Sequence, residues 1–267
     1  MPAMGNLMGK VAIVTGASRG IGEAIARRFA VDGARIAITA RTAHEGDHRL
    51  AGSLATTANT ITSMGGTVLP IVADLSKQTD RARLIETVQR ELGPIDVLVN
   101  NAAVTYFEPV VEFPERHFEL MFEVQVQAPF ELAQRVLPAM RERRQGWILN
   151  ISSRAALHPA GPPYSGVRGS TVYGMCKAAL ERFTTGLASE VYQDGVAVNV
   201  LSPSGLVPTP GVVFHGLTRG VSEDRLEAPR VMAEAAYALC TGDPTSLTGR
   251  VTYARPLLEE LGLAVPA

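Results

Sequence analysis

A tyrosine and a lysine four residues apart, Tyr173 and Lys177, are the side chains of this sequence best suited to acid–base chemistry. They fall in a helical pattern predicted over 172–192, and residues four apart share one face of a helix. An ammonium group about 4–5 Å from a phenol favours the phenolate and would lower the tyrosine pKa from about 10 by about 2–3 units. A phenol shifted in this way can give and take a proton near neutral pH.

Ser153 follows the fifth predicted strand, 147–151, and is expected to donate a hydrogen bond to a substrate oxygen. Open α/β sheets bind ligands at the carboxyl ends of their strands, which is where this serine stands. The alternative is that Tyr173 and Lys177 are an ordinary amphipathic pair and that Ser153 caps a helix. The glycine-rich turn described next favours catalysis.

The segment 15–22, TGASRGIG, follows a short apolar run at 11–14 and precedes a helical pattern. A strand, a glycine turn and a helix in this order present backbone N–H groups to a phosphate, with the helix dipole behind them. A Cβ at these glycines would hold a pyrophosphate away from the backbone. The spacing differs from the general dinucleotide fingerprint, and a plain tight turn is the alternative. The predicted cofactor-binding residues of this stretch are Gly16, Ser18, Arg19, Gly20, Ile21 and Gly22.

The composition describes a globular chain of 267 residues, 46% hydrophobic and 19% charged, with a formal net charge of −1. It suits one domain over residues 1–267 and gives no electrostatic basis for nucleic-acid binding. The two cysteines, Cys176 and Cys240, fit neither a disulfide framework nor a metal site. No apolar stretch is long enough for a bilayer, and the N-terminus lacks a signal-peptide pattern. We therefore expect a cytoplasmic protein with a small-molecule substrate and without a metal, nucleic-acid or membrane partner.

Predicted strands and helices alternate along the chain, a pattern typical of a parallel sheet covered on both faces. The predicted strands are 11–14, 35–40, 67–73, 95–99, 147–151, 196–201 and 250–253. Pro129 and Pro138 are expected to kink or break a long helix at 114–144. The Gly- and Pro-rich segments 154–170 and 202–227 are predicted loops.

Four motifs together resemble a classical, NADP-preferring short-chain dehydrogenase/reductase: TGASRGIG at 15–22, NNAA at 100–103, Ser153, and YGMCK at 173–177. They occur in the family's order and span nearly the whole chain. The resemblance implies a single doubly wound α/β domain, with a mainly parallel Rossmann sheet in three αβα layers. It also implies a nicotinamide cofactor, redox chemistry at a carbinol or carbonyl carbon, and a homodimer or homotetramer.

The resemblance assigns further residues to the cofactor. Lys177 would hold the ribose hydroxyls, and Tyr173 would lie beside the nicotinamide. Asp74 would contact the adenine, although a helix-capping aspartate is an equal alternative. The remaining implied contacts are Leu75, Asn101, Ala102, Pro203, Ser204 and Thr209.

Three features depart from the family's pattern. The segment between Ser153 and Tyr173 is longer than usual, and Ser204 stands where a glycine is common. Gln125 occupies the place of an asparagine that supports a water relay to the lysine, so we count Gln125 as a candidate site residue.

The predicted cofactor is NADP. A site selective for NAD carries an acid at the end of the second strand, whereas residues 39–42, TART, contain none. Arg41 would meet the 2′-phosphate with a planar charged fork, and Arg19 would add a second cation. The alternative is two solvated surface arginines.

The substrate is expected between the loops 154–170 and 205–227, because both follow strand ends. Their many apolar residues favour a mostly apolar ketone, aldehyde or alcohol. Tyr164 is a rival phenol, but Arg168 rather than a lysine stands four residues after it, so we assign it to the substrate pocket. A reductase of activated C=C bonds and a cofactor-binding protein without turnover remain alternatives.

Overall fold

A computed structural model describes residues 7–164 and 167–266 of the chain. The described residues form a seven-stranded sheet in the order β3-β2-β1-β4-β5-β6-β7, and every neighbouring pair is parallel. The strands are Val11–Thr15 (β1), Arg35–Ala40 (β2), Thr67–Val72 (β3), Val97–Asn100 (β4), Gly146–Ile151 (β5), Val196–Ser202 (β6) and Val251–Tyr253 (β7). The strand order reverses between β1 and β4, which opens a crevice at their carboxyl ends.

Helices pack on both faces of this sheet. They are Gly20–Val31 (α1), Leu54–Ser63 (α2), Gln78–Glu91 (α3), Glu115–Phe122 (α4), Ala128–Arg143 (α5), Thr171–Val191 (α6), Pro210–Phe214 (α7), Pro229–Thr241 (α8) and Ala254–Glu260 (α9). One core lies between the sheet and α1, α2, α8 and α9, and a second lies between the sheet and α3, α5 and α6. Every residue of β1, β4, β5 and β6 is buried, as expected of parallel strands covered on both faces. The predicted doubly wound, three-layer α/β fold is confirmed.

The predicted long helix at 114–144 is two helices, α4 and α5, joined by a π-helix at Glu123–Gln127. Pro129 is the second residue of α5 and directly follows the π-helix, so its missing N–H coincides with the interruption. The interruption therefore comes just before this proline. Pro138 lies inside α5, which continues past it to Arg143.

Two helices are absent from the sequence-based prediction. The segment 202–227, predicted as loop, contains α7, which Thr209 caps by accepting a hydrogen bond from the N–H of Val212 at 3.3 Å. The second is α9, which follows β7 and buries Leu257 and Leu258. Both helices are too short to show a clear hydrophobic period, and this explains why the pattern missed them. Within the described residues, no helix has the length and apolar composition needed to cross a bilayer.

Candidate active site

The glycine turn joins β1 to α1 at the crevice of the sheet. Gly16 and Gly20 have φ angles of 65° and 63°, a left-handed conformation that favours glycine. Arg19 precedes the helix in extended conformation, and no described side chain caps the first turn of α1. The N–H groups of that turn are therefore open to an anion, and the turn fits the pyrophosphate of a dinucleotide.

Thr15 ties this turn to the end of β4. Its hydroxyl oxygen accepts hydrogen bonds from the backbone N–H groups of Asn101 and Ala102, at 2.9 and 3.0 Å, and donates to the carbonyl of Val99. The side-chain amide of Asn101 donates to the carbonyls of Thr15 and Gly16. Asn101 thus holds the turn in place. Sequence reasoning did not single out Thr15, and its position before the first glycine was the only signal.

The two arginines predicted to meet a 2′-phosphate lie in different environments. The Arg19 guanidinium donates to the carbonyls of Leu50, Ala51 and Gly52, so it fixes the loop that follows β2. Burial lowers the pKa of Arg19 from its usual range, with a smaller opposite effect of Glu45. Among the described residues Arg41 is exposed and forms no hydrogen bond or ion pair, which leaves its fork available for a phosphate.

At the end of β3, Asp74 and Leu75 hold their own segment together. One carboxylate oxygen of Asp74 accepts hydrogen bonds from the backbone N–H and the hydroxyl of Ser76, at 3.1 and 2.8 Å. The carbonyl of Leu75 accepts a hydrogen bond from Arg81 at 2.7 Å, and Arg81 also forms a buried two-pronged pair with Glu131. The geometry of Asp74 is that of a turn-stabilising carboxylate, close to the alternative weighed from the sequence.

Ser153, Tyr173 and Lys177 meet at the carboxyl end of β5, and we call these three residues the Ser–Tyr–Lys triad. Ser153 hydrogen-bonds the Tyr173 phenol, and its oxygen also accepts from the N–H of Ala155 at 3.2 Å. The Lys177 ammonium is buried and donates to the carbonyl of Ile151 at 3.0 Å. Its nitrogen lies 5.6 Å from the centre of the Tyr173 ring. The fold therefore brings together the three side chains that the spacing predicted, while Ser153 also caps a short turn.

The acidity of these groups differs from the prediction. Burial raises the pKa of Tyr173, and the hydrogen bond from Ser153 opposes that shift only in part. Burial likewise lowers the pKa of Lys177 to about 8, against the opposing effects of Cys176 and Glu181. The prediction that the ammonium lowers the tyrosine pKa is therefore wrong for the protein alone, because desolvation of the phenol dominates and Lys177 contributes no resolved opposing shift.

Gln125 lies buried in the π-helix, which packs against α6. Its amide nitrogen donates to the carbonyl of Val104 at 2.9 Å. Its amide oxygen is buried and accepts no hydrogen bond from the described residues. A buried acceptor without a donor costs about 1–3 kcal/mol, so this oxygen fits a site that takes a further donor.

The turn after β6 contains Pro203 and Ser204 and is held by a buried carboxylate that sequence reasoning missed. Glu227 accepts a hydrogen bond from the backbone N–H of Ser204 at 3.2 Å. The serine oxygen in turn accepts from the N–H of Arg255 at 2.9 Å. Burial raises the pKa of Glu227, and the Ser204 contacts partly offset this. These contacts explain a serine in place of the glycine common in the family, and nothing in the local sequence around Glu227 marked this carboxylate.

Residues 207–226, which include α7, connect β6 to α8, and we call this segment the flap. Its base is closed by paired backbone hydrogen bonds, from Leu206 to Arg225 at 2.8 Å and from Glu227 to Leu206 at 2.9 Å. Thr209 packs on the glycine turn, since a Cβ at Gly20 would lie 2.9 Å from its methyl group. The flap thus begins beside the predicted phosphate site.

The rival phenol lies elsewhere. Tyr164 is 72% exposed in the loop after β5, of which residues 165 and 166 lie outside the described part of the chain. Tyr173, in contrast, is packed against Phe107, with ring centres 6.0 Å apart, and bonded to Ser153. Of the two phenols, Tyr173 is the one joined to a serine and a lysine.

Comparisons with known proteins agree with this geometry. The hydroxysteroid dehydrogenase-like protein 2 of Xenopus tropicalis is 31% identical over 263 residues, which are 98% of this chain and 61% of that protein. The chain thus spans about three fifths of the length of this curated relative. A short-chain dehydrogenase from Mycobacterium thermoresistibile is similar in structure, with a TM-score of 0.83 at 33% identity, covering 96% of this chain and 89% of the other.

A metagenomic short-chain oxidoreductase in complex with NADP has a TM-score of 0.75 at 30% identity, over 92% of this chain and 98% of the other. The sequence profile of the family described as short chain dehydrogenase matches residues 10–213. The profile covers most of the chain, and the strand order and the order of the motifs agree with it. The chain belongs to the short-chain dehydrogenase/reductase family of oxidoreductases.

Proposed function

We propose that the protein interconverts a ketone or aldehyde and an alcohol on a mostly apolar small molecule, with NADP(H) as the redox partner. The observation that carries this proposal is the convergence of Ser153, Tyr173 and Lys177 at the carboxyl end of β5. The carboxyl end of β5 lies next to the crevice between β1 and β4, because β5 is the neighbour of β4 in the sheet.

The roles of the triad follow from the chemistry of its groups. Ser153 would donate a hydrogen bond to the substrate oxygen, and Tyr173 would give that oxygen a proton in reduction or take one in oxidation. Lys177, held by the carbonyl of Ile151, would bind the ribose hydroxyls, and its charge would stabilise the phenolate left when Tyr173 gives up its proton. The chemistry that a bound nicotinamide supplies is hydride transfer at the carbon. The free oxygen of Gln125 would accept from a water in the proton path.

The preference for NADP over NAD rests on Arg41, whose charged fork is exposed at the end of β2. The relative in complex with NADP supports the same choice. Arg41→Ala should weaken NADPH binding about 10- to 100-fold, as expected for a charged hydrogen bond, and leave NADH binding unchanged. Equal loss for both dinucleotides would contradict this assignment.

We propose that the loops 154–170 and 205–227 flank the substrate. Exposed apolar side chains in both support this, among them Leu157, Val213 and Phe214, which are 52%, 53% and 48% exposed. Turnover should therefore increase with the apolar surface of a series of carbonyl substrates. A series in which polar members turn over fastest would contradict the proposed substrate class.

The central experiment measures NADPH consumption with a panel of carbonyl and activated alkene substrates. Tyr173→Phe should lose about 10²–10⁴-fold in turnover, because it removes the acid/base proton. Tyr192→Phe, which removes an exposed phenol beyond the end of α6, is the matched control and should keep its turnover. Equal activity of Tyr173→Phe and the parent would remove the mechanism; turnover of alkenes alone would favour the C=C reductase. NADPH binding without any turnover would favour the non-catalytic alternative.

We also propose a homodimer or homotetramer in the cytoplasm. Exposed aromatic residues on α4 and α5, Phe118, Phe122 and Phe130, support self-association through these helices. Both cysteines are free and buried, which suits a reducing compartment. Light scattering of the purified protein would test the assembly, and a monomer at micromolar concentration would contradict it.

A further inference from the structure

The flap contacts the loop after β2 on its outer side. The guanidinium carbon of Arg49 lies 4.1 Å from the centre of the Phe214 ring, within the range of a cation–π contact. Arg49 belongs to the loop that Arg19 fixes, and Phe214 ends α7 in the flap. This contact therefore bridges two segments that are separated by more than half of the chain.

On its inner side the flap contacts the loop after β4. The Nε2 atom of His215 lies 3.3 Å from the hydroxyl oxygen of Thr105, and the His215 ring packs edge-on against Phe107 at 5.2 Å. Phe107 also packs against Tyr173. The adjacent flap residues Phe214 and His215 therefore contact two different segments, the loop after β2 and the loop after β4.

Arg49 stands close to the residues expected to hold the 2′-phosphate. The pKa of His48 is lowered first by burial and then by Arg19, Arg41 and Arg49, so all three cations lie near one imidazole. The ring nitrogen Nδ1 of His48 accepts a hydrogen bond from the N–H of Leu50 at 3.1 Å, which leaves its Nε2 as a donor. The Arg19 guanidinium already donates to the carbonyls of this loop, so Arg41, Arg49 and the His48 donor are the groups left to bind a doubly charged anion.

We propose that Arg49 is a positioning residue that couples the 2′-phosphate of the cofactor to closure of the flap over the substrate. The inference rests on the proposed use of NADP(H) and extends it to a residue outside the glycine turn and the triad. A phosphate beside Arg41 and Arg49 orders the loop after β2. The ordered Arg49 then stacks on Phe214, and the flap holds His215 against Thr105 and Phe107. NADPH therefore closes the flap more firmly than NADH, which lacks this phosphate.

Trypsin cleavage after Arg219, an exposed residue of the flap, measures closure independently of turnover. For the wild-type protein, saturating NADPH should slow this cleavage several-fold more than saturating NADH. Arg49→Ala should speed cleavage without cofactor about three- to tenfold and abolish the difference between NADPH and NADH. Arg49→Lys should restore part of both effects, because lysine keeps the charge but not the planar fork.

The partner residue provides a second, independent variant. Phe214→Leu keeps an apolar side chain and removes the π-face, so it should speed cleavage as Arg49→Ala does. The double variant should cleave no faster than either single variant, since both remove one contact. Arg90→Ala, at an exposed arginine of α3 paired with Glu91, is the matched control and should behave as wild type.

Wild-type cleavage rates in Arg49→Ala, or equal protection of the parent by NADPH and NADH, would overturn the coupling. A fluorescence titration of NADPH separates this failure from failure of the proposed function. If the parent binds no NADPH, the proposed function and the coupling both fail, and cleavage without cofactor still decides the Arg49–Phe214 contact. If Arg41→Ala weakens the binding of NADPH while Arg49→Ala changes neither NADPH binding nor the cleavage rate, only the coupling fails.

Discussion

The Ser–Tyr–Lys triad and the flap both contact Phe107, but they are held in different ways. Lys177 is 3% exposed and bonded to the backbone of β5, inside a core formed by the sheet and α6. Phe214, in the flap, is 48% exposed. The flap is held there by a few contacts between side chains. The chemical step needs fixed distances, whereas substrate entry needs a segment that opens at low cost. The difference agrees with the proposal that protons are transferred in the packed region and that the flap admits the substrate.

The sharpest test of this comparison is a variant that keeps the packing and removes the chemistry. Lys177→Met should lower turnover about 10²–10⁴-fold, because it removes the charge beside Tyr173. The thermal midpoint should not fall, since burial of the ammonium is costly, as its pKa of about 8 indicates. Turnover assays and calorimetry on one preparation would check both. A large loss of stability would mean that the charge serves the fold.

Alanine substitutions at two glycines, one in the glycine turn and one in the flap, compare the packing of these two regions directly. Gly16 and Gly220 have similar φ angles, 65° and 71°, so an added Cβ carries a similar backbone strain of about 1–2 kcal/mol. At Gly16 the Cβ would also lie 2.8 Å from the Cα of Ala102, whereas at Gly220 it meets nothing within 4 Å. Gly16→Ala should therefore cost about 2–5 kcal/mol in unfolding free energy and Gly220→Ala only the strain. Equal costs in denaturant titrations would contradict the contrast.

The base of the flap should behave like the packed region. Glu227→Ala leaves the backbone N–H of Ser204 without its acceptor and should cost about 1–3 kcal/mol of unfolding free energy. Glu227→Gln keeps an acceptor and removes a buried charge, so it should cost less. Chemical denaturation measures both values. If the alanine variant is as stable as the parent, Glu227 does not hold the turn.

The pH dependence of reduction should reflect the buried lysine. Lys177 carries its charge below a pKa of about 8 and loses it above, while the raised pKa of Tyr173 keeps the phenol protonated. The rate should therefore fall as the pH rises through about 8, by about tenfold between pH 7 and pH 9. Steady-state rates over this range, corrected for cofactor stability, test the sign. A rate that rises with pH would show that the phenolate form limits reduction.

The order of the elements was predictable because short apolar runs and amphipathic segments alternate clearly. The glycine turn at 15–22 and the Tyr173–Lys177 spacing were visible because each is local in the sequence. What escaped prediction depends on distant partners. Glu227 holds Ser204 from 23 residues away, and Arg49 meets Phe214 from the other half of the chain.

The sequence by itself determined the alternation of strands and helices, the glycine turn, and a tyrosine and a lysine on one helical face. The tertiary structure decided the pKa values of those groups and which partners the arginines bind. Burial depends on what the fold lays over a side chain, and it reversed the predicted pKa shift of Tyr173. Spacing along one helix could not reveal that desolvation. The same holds for Arg19, whose hydrogen bonds go to the carbonyls of a loop more than 30 residues away in sequence.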